Sequence, residues 1–139
     1  MYVTSLYTCI PHSDGPKALK HFLNKRATPD PPTDTLIRLA ELVLNKNTFR
    51  DEVFPQLSGV VMGTKMGPSY AFLFMGHLEH TLLKQNKKPV PEIYKRYIDG
   101  GTGTTSLSYN QLLDFINFVQ NFHPAVKFTY DISEKSVSF

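Results

Sequence analysis

At 139 residues, 41% hydrophobic and 19% charged, the chain has the composition of one globular domain able to bury a core. A net charge of +3 fits a nucleic-acid partner without demanding one. The lone Cys9 excludes an internal disulfide, and no apolar run approaches the roughly 20 residues that span a bilayer. No charged-then-apolar leader opens the chain. A reducing intracellular setting, nuclear or cytoplasmic, is therefore expected. The sequence begins directly on a motif and ends without a closing element, so it reads as a piece of a longer protein or a gene remnant.

Tyr2 to Tyr7 predicts a short strand. Ser13 is placed to cap a helix over Gly15 to Asn24, with Ala18, Leu19, Phe22 and Leu23 as its buried stripe. A proline-rich connector follows over Ala27 to Pro32. Thr33 or Asp34 then caps a second helix, whose Leu36, Leu39, Ala40 and Val43 fall at i, i+3, i+4 and i+7. Asn45 to Glu52 reads as a polar loop. Gly59 to Gly67 is a glycine-rich loop that needs positive φ or close backbone approach. Pro68 to Leu83 predicts a third helix, apolar on nearly every side of its first half, as in a helix buried against a sheet. After a polar turn over Asn86 to Pro91, Ile93 to Ile98 is a strand and Asp99-Gly100-Gly101 a hairpin turn.

Ser108 and Gln111 form a capping box that opens a fourth helix with Leu112, Phe115, Ile116 and Val119 on one face. Val126, Phe128, Tyr130 and Ile132 then alternate as a strand, which puts Lys127, Thr129 and Asp131 on its other face. The whole order predicts an α+β fold: an antiparallel sheet with helices packed on one face.

Four segments carry a resemblance. They are Val3-Thr4-Ser5-Leu6-Tyr7-Thr8-Cys9-Ile10-Pro11, Gln56-x-x-Gly59-x-x-Met62-Gly63-Thr64-Lys65-Met66-Gly67-Pro68, Tyr94-Lys95-Arg96-Tyr97-Ile98-Asp99-Gly100, and Phe122-His123-Pro124-Ala125-Val126-Lys127-Phe128-Thr129. In this order and spacing they resemble the reverse transcriptase palm of Penelope-like retroelements, along nearly the whole chain. The resemblance implies a polymerase palm-like sheet and an ancestral RNA-directed DNA synthesis with Mg²⁺, an RNA template and a DNA primer. It implies that Asp99 is a catalytic, metal-holding aspartate. Tyr7 would lie under the sugar of the incoming nucleotide. Gln56, Met62 and Gly63 would belong to the nucleotide pocket, and Lys127 would aid pyrophosphate departure. It does not extend to fingers, thumb or endonuclease.

Two departures stand out. The family's first motif opens with an aspartate, and its place falls on Tyr2. The family's turn reads Tyr-Ile-Asp-Asp, and Gly100 stands where the second aspartate belongs. The expectation is a catalytically inactive palm fragment. The alternative is a non-catalytic nucleic-acid-binding or remnant domain that keeps the fold. Gly100 to Thr105 also replaces an apolar returning strand with flexible, polar residues, so that strand is expected to be short or frayed.

Plainer readings compete at each position. Asp99-Gly100 is a common hairpin dipeptide. Tyr7 fits a core position, Met62-Gly63 a simple loop, and Lys127 a solubilising edge lysine. Cys9-x-x-His12 is half a zinc site, and His77 and His80 fit a polar helix face. Lys84, Lys87, Lys88, Lys95 and Arg96 cluster in sequence and could neutralise a few phosphates.

Overall fold

The computed structural model describes residues 1–46, 58–61 and 63–135. Its elements are β1 (Tyr2–Val3), α1 (Leu6–Cys9), α2 (Gly15–Leu23), α3 (Thr33–Asn45), α4 (Gly67–Gln85), β2 (Ile93–Tyr97), β3 (Gly100–Thr104), α5 (Tyr109–Phe122) and β4 (Phe128–Thr129). The four strands form one antiparallel sheet in the order β2-β3-β1-β4. With α4 and α5 as the two crossovers, the chain runs β-α-β-β-α-β, and the hairpin strand β3 lies between its partner β2 and β1, with β4 on the far side of β1. The fold is α+β, as the pattern of elements predicts.

The first strand is shorter than expected. Ser5 takes a left-handed backbone conformation at φ 54°, and its carbonyl accepts from Thr8 and Cys9 N–H at 3.0 and 3.1 Å. That turns the chain into α1, so Tyr7 lies on a helix. The predicted last strand also shortens, to Phe128–Thr129, and the alternation holds only that far. Val126 is buried and Phe128 half-buried between exposed Lys127 and Thr129, but Tyr130, expected on the inward face, is exposed because the chain has left the sheet.

At α2 the N-cap residue is Asp14, and neither it nor Ser13 caps the helix through its side chain. Asp14 instead binds Lys17 at 3.0 Å and His123 at 3.4 Å, tying the start of α2 to the end of α5. Gly15 is buried against Tyr70, where a Cβ would overlap the tyrosine hydroxyl.

The predicted stripe of α3 is half right. Ala40 is buried and Leu36 half-buried, but Leu39 and Val43 are 53% and 38% exposed, and Leu44 is buried in their place. The helix packs on α2 along a narrow i, i+4 line, which is too slim to take the wider stripe. Of the polar loop expected over Asn45 to Glu52, Asn45 is the last residue of α3, and 47–52 lie outside the described residues.

The central element is α4. Tyr70, Ala71, Phe74, Met75 and Leu78 join Val3, Leu6, Ile10, Ala18, Leu44, Val60 and Val126 in the main core. Farther along, Leu82 meets Phe115 and Val119 of α5, with Phe128 and Met1 against them. Both crossover helices therefore bury their apolar faces on the side of the sheet that carries Val3 and Phe128. The capping box of α5 forms as predicted, with Ser108 Oγ accepting from Gln111 N–H and the Gln111 side chain accepting from Ser108 N–H. No helix among the described residues is long and apolar enough to cross a membrane.

Between α2 and α4 the His21 ring sits 4.7 Å from His77 and 5.8 Å from His80. His21 Nε2 and His77 Nδ1 are buried without a hydrogen-bond partner. Burial, then Lys25, His77, His80 and Lys84, holds His21 below the usual imidazole range. Burial, then His80 and Lys25, does the same to His77. The unfolded chain therefore takes up these protons first as pH falls. The stability they contribute is complete above about pH 6.5 and is lost on acidification below it. Urea midpoints measured from about pH 7.5 to about pH 5.5 will fall, and His21→Phe will flatten that decline.

Candidate functional site at the Asp99 hairpin

The sheet brings the sequence-predicted positions into one row. Tyr97 pairs with Gly100, Gly100 with Tyr2, and Tyr2 with Thr129. One step along, Val3 N–H donates to the Asp99 carbonyl at 2.9 Å and Thr4 N–H to the Lys127 carbonyl at 2.7 Å. Tyr2, Asp99, Gly100 and Lys127 therefore share one end of the sheet.

The hairpin differs from its prediction. Its loop is Ile98-Asp99 alone, and Gly100 and Gly101 are strand residues, both buried. The returning strand is neither short nor frayed: five residues of β3 pair with five of β2. Two tyrosines supply what the glycines lack. A Cβ on Gly100 would lie 3.0 Å from Tyr2 Cε1, and one on Gly101 would lie 2.6 Å from the Tyr94 hydroxyl. One ring thus covers the strand on each face. Cross-strand aromatics resting on glycine stabilise a ladder that glycine alone would weaken.

Ile98 holds φ at 52°, in the left-handed region that a β-branched residue rarely enters. Arg96 supports that turn. Its Nη1 donates to the Ile98 carbonyl at 2.8 Å, its Nε to Glu79 Oε1 at 2.7 Å, and its guanidinium lies 5.1 Å from the Phe72 ring centre. The Tyr94 hydroxyl donates to the same Glu79 oxygen at 3.0 Å. Burial and the Glu79 charge push its ionisation well above the usual phenol range. The Arg96 side chain is only 8% exposed. It is therefore withdrawn from the basic cluster read in the sequence, and Lys88 faces Asp114 at 3.9 Å.

The sequence reading missed this clamp. Its signal was present: Glu79 is the only acidic residue of α4, and Arg96 shares the inward strand face with Tyr94.

A second cluster lies around α1. The Tyr7 carbonyl accepts from Val60 N–H at 2.6 Å, the Ile10 carbonyl from Gly59 N–H at 2.7 Å, and His12 Nε2 donates to the Gly59 carbonyl at 2.9 Å. Gly59 has φ 80°, and a Cβ there would collide with the Tyr7 backbone. The close approach expected of this loop thus falls on its two ends, at Gly59 and at Gly67, where a Cβ would lie 2.7 Å from the Val61 carbonyl oxygen. Gly63 is exposed, with open space where its Cβ would point. Tyr7 is half-buried against the main core. Gln56 and Met62 lie outside the described residues.

Asp99 and Lys127 are both exposed. Among the described residues no group of three or more His, Cys, Asp or Glu is placed to hold a metal ion. The donor set at the row is one carboxylate, one phenol and one glycine, which does not fit a hard divalent cation that needs several carboxylate oxygens. A cavity of about 460 Å³ opens away from the turn, lined by Tyr94, Thr104, Tyr109, Phe115 and Ile132 among others. It contains neither Asp99 nor Lys127. No protein-family model matches the chain, and no curated protein or solved structure matches it.

The contact between Tyr2 and position 100 is measurable. Gly100→Val beside Tyr2 will destabilise by about 1–2 kcal/mol, because the ring must move. On a Tyr2→Ala background the same substitution will cost less by about 1 kcal/mol or more. Additive urea unfolding energies around this cycle would mean that the ring does not lie on Gly100.

Proposed function

We propose that the chain is a palm fragment of the reverse transcriptase lineage that no longer carries the carboxylates for synthesis. The observation that carries this reading is the register of Tyr2 with Gly100, beside Asp99. These positions lie far apart in the sequence. They are the ones where the resemblance expects metal-binding aspartates, and a two-metal centre requires such groups to be neighbours. The meeting of Tyr7 with the Gly59 loop supports it too, since the resemblance expects both at one nucleotide pocket.

Phosphoryl transfer by two divalent ions about 4 Å apart needs carboxylates on both sides of the pair. Asp99 offers one. Tyrosine and glycine supply no carboxylate, so charge stabilisation worth several kcal/mol is missing. The ancestral partners on this reading are an RNA template and a DNA primer, and the setting is intracellular, nuclear or cytoplasmic. A domain that keeps the sheet and binds nucleic acid without copying it is the second reading. The tyrosine and lysine side chains of the open sheet face favour it.

Primer extension on an RNA template with Mg²⁺ or Mn²⁺ will give no incorporation above a no-protein control. Template-dependent incorporation that Asp99→Ala abolishes would overturn the inactive assignment. In calorimetry, Tyr2→Asp combined with Gly100→Asp will bind Mg²⁺ where the parent chain does not. If the paired substitution gains no heat of binding, the register does not reflect a former metal centre.

A further inference from the structure

The side of the sheet away from α4 and α5 carries Ile93, Lys95 and Tyr97 of β2, Gly100, Thr102 and Thr104 of β3, Tyr2 of β1, and Lys127 and Thr129 around β4. Among the described residues no helix covers it. Tyr97 is 69% exposed, and Lys95, Lys127 and Thr129 are exposed beside it. The row across all four strands reads tyrosine, glycine, tyrosine, threonine. The Tyr2 ring lies over Gly100, which leaves an aromatic surface beside Tyr97. Adjacent strands lie about 4.8 Å apart, so the Tyr2 ring, seated over Gly100, lies about one strand spacing from the strand that carries Tyr97.

We infer that this face is a stacking platform for single-stranded nucleic acid, with Tyr97 and Tyr2 taking successive bases and Lys95 and Lys127 meeting the phosphates on either side. The inference rests on the nucleic-acid reading above and names a site for it. The chemistry selects this occupant over a protein surface. Protein interfaces concentrate apolar area at their centre and are depleted in lysine, whereas this face interleaves phenols, hydroxyls and two ammonium groups. Duplex is disfavoured because a flat sheet reaches bases only when they are unpaired. Asp99 at the hairpin tip and Asp131 beyond Thr129 place negative charge at two margins of the face, which confines a phosphate backbone to the lysine-flanked path. Loss of carboxylates at positions 2 and 100 is what opens that path. Two further aspartates in the centre of the row would repel the phosphates that Lys95 and Lys127 attract.

The test is anisotropy of labelled oligouridylate, oligothymidylate and a duplex of equal length, at low and at physiological salt, with circular dichroism to check the fold of each variant. Both single strands will bind more tightly than the duplex. Tyr97→Ala will weaken single-strand binding about tenfold, and Tyr97→Phe will keep it, because stacking needs the ring and not the hydroxyl. Lys95→Gln will reduce the salt dependence of binding. If Tyr97→Ala and Tyr2→Leu bind as the parent does while neutralising Lys84 and Lys87 abolishes binding, this platform is wrong and the nucleic-acid reading survives at another surface. If no oligonucleotide binds, both fall. Self-association that Tyr97→Ala abolishes, with no oligonucleotide competing, would make this face a contact between copies of the chain and overturn the platform.

Discussion

Two tyrosine rings rest on β3, one from each face of the sheet, and only glycine at 100 and 101 lets them. Much of the site follows from that constraint. β3 is an inner strand, paired on both sides, so it cannot shift without disturbing β1 and β2 together. With Cβ atoms at those two positions, the rings would be lifted and the strand spacing or the rotamers would have to change. With the glycines in place, Tyr2 is held in the row that contains Tyr97 and Thr129, and Tyr94 is held where its hydroxyl reaches Glu79. A glycine-rich sequence that would weaken an isolated hairpin is here the condition for packing the sheet centre.

The Arg96–Glu79 pair extends the same logic to the hairpin tip. Ile98 in the left-handed region costs about 1–2 kcal/mol relative to an unstrained residue. Strain of that kind persists when surrounding contacts over-determine the turn. Three contacts converge on Arg96: its bond to the Ile98 carbonyl, its ion pair with Glu79 and its place over Phe72. Because Glu79 and Phe72 both belong to α4, the tip that presents Asp99 is positioned from the helix as well as from the sheet. The turn is therefore specified by long-range contacts, against its own local preference.

That distinction also explains what could be read from the sequence. Elements set by local signals were legible: the capping box of Ser108, the apolar stripe of α5, the mostly apolar start of α4, and the strand alternation from Val126 to Thr129. Elements set by distant partners were not. Ser5 breaks β1 by a backbone turn that no residue preference announces. Leu39 and Val43 fit a helical stripe, but α3 meets too little of its neighbours to use it. The fraying expected of β3 followed correctly from glycine content, and the tyrosines that reverse it come from β1 and β2. For the site, motif order brought Tyr2, Asp99, Gly100 and Lys127 into consideration, the Arg96–Glu79 clamp left a signal that was missed, and the importance of Tyr97 emerges only when the strands are paired.

On the proposed lineage, the substitutions at 2 and 100 are coupled in physical terms. Clustered carboxylates without a bound cation repel one another and disfavour the compact state, and active sites commonly carry such destabilising charge for the sake of chemistry. Replacing one carboxylate by glycine removes charge and leaves a gap. Replacing its cross-strand neighbour by tyrosine removes a second charge and supplies a ring that lies over that gap. Neither change alone does both. A lone Tyr2 would press on a side chain at 100, and a lone Gly100 would leave β3 uncovered on that face. On that lineage, the two together would convert a charged, cation-dependent row into a neutral, packed one around an intact hairpin.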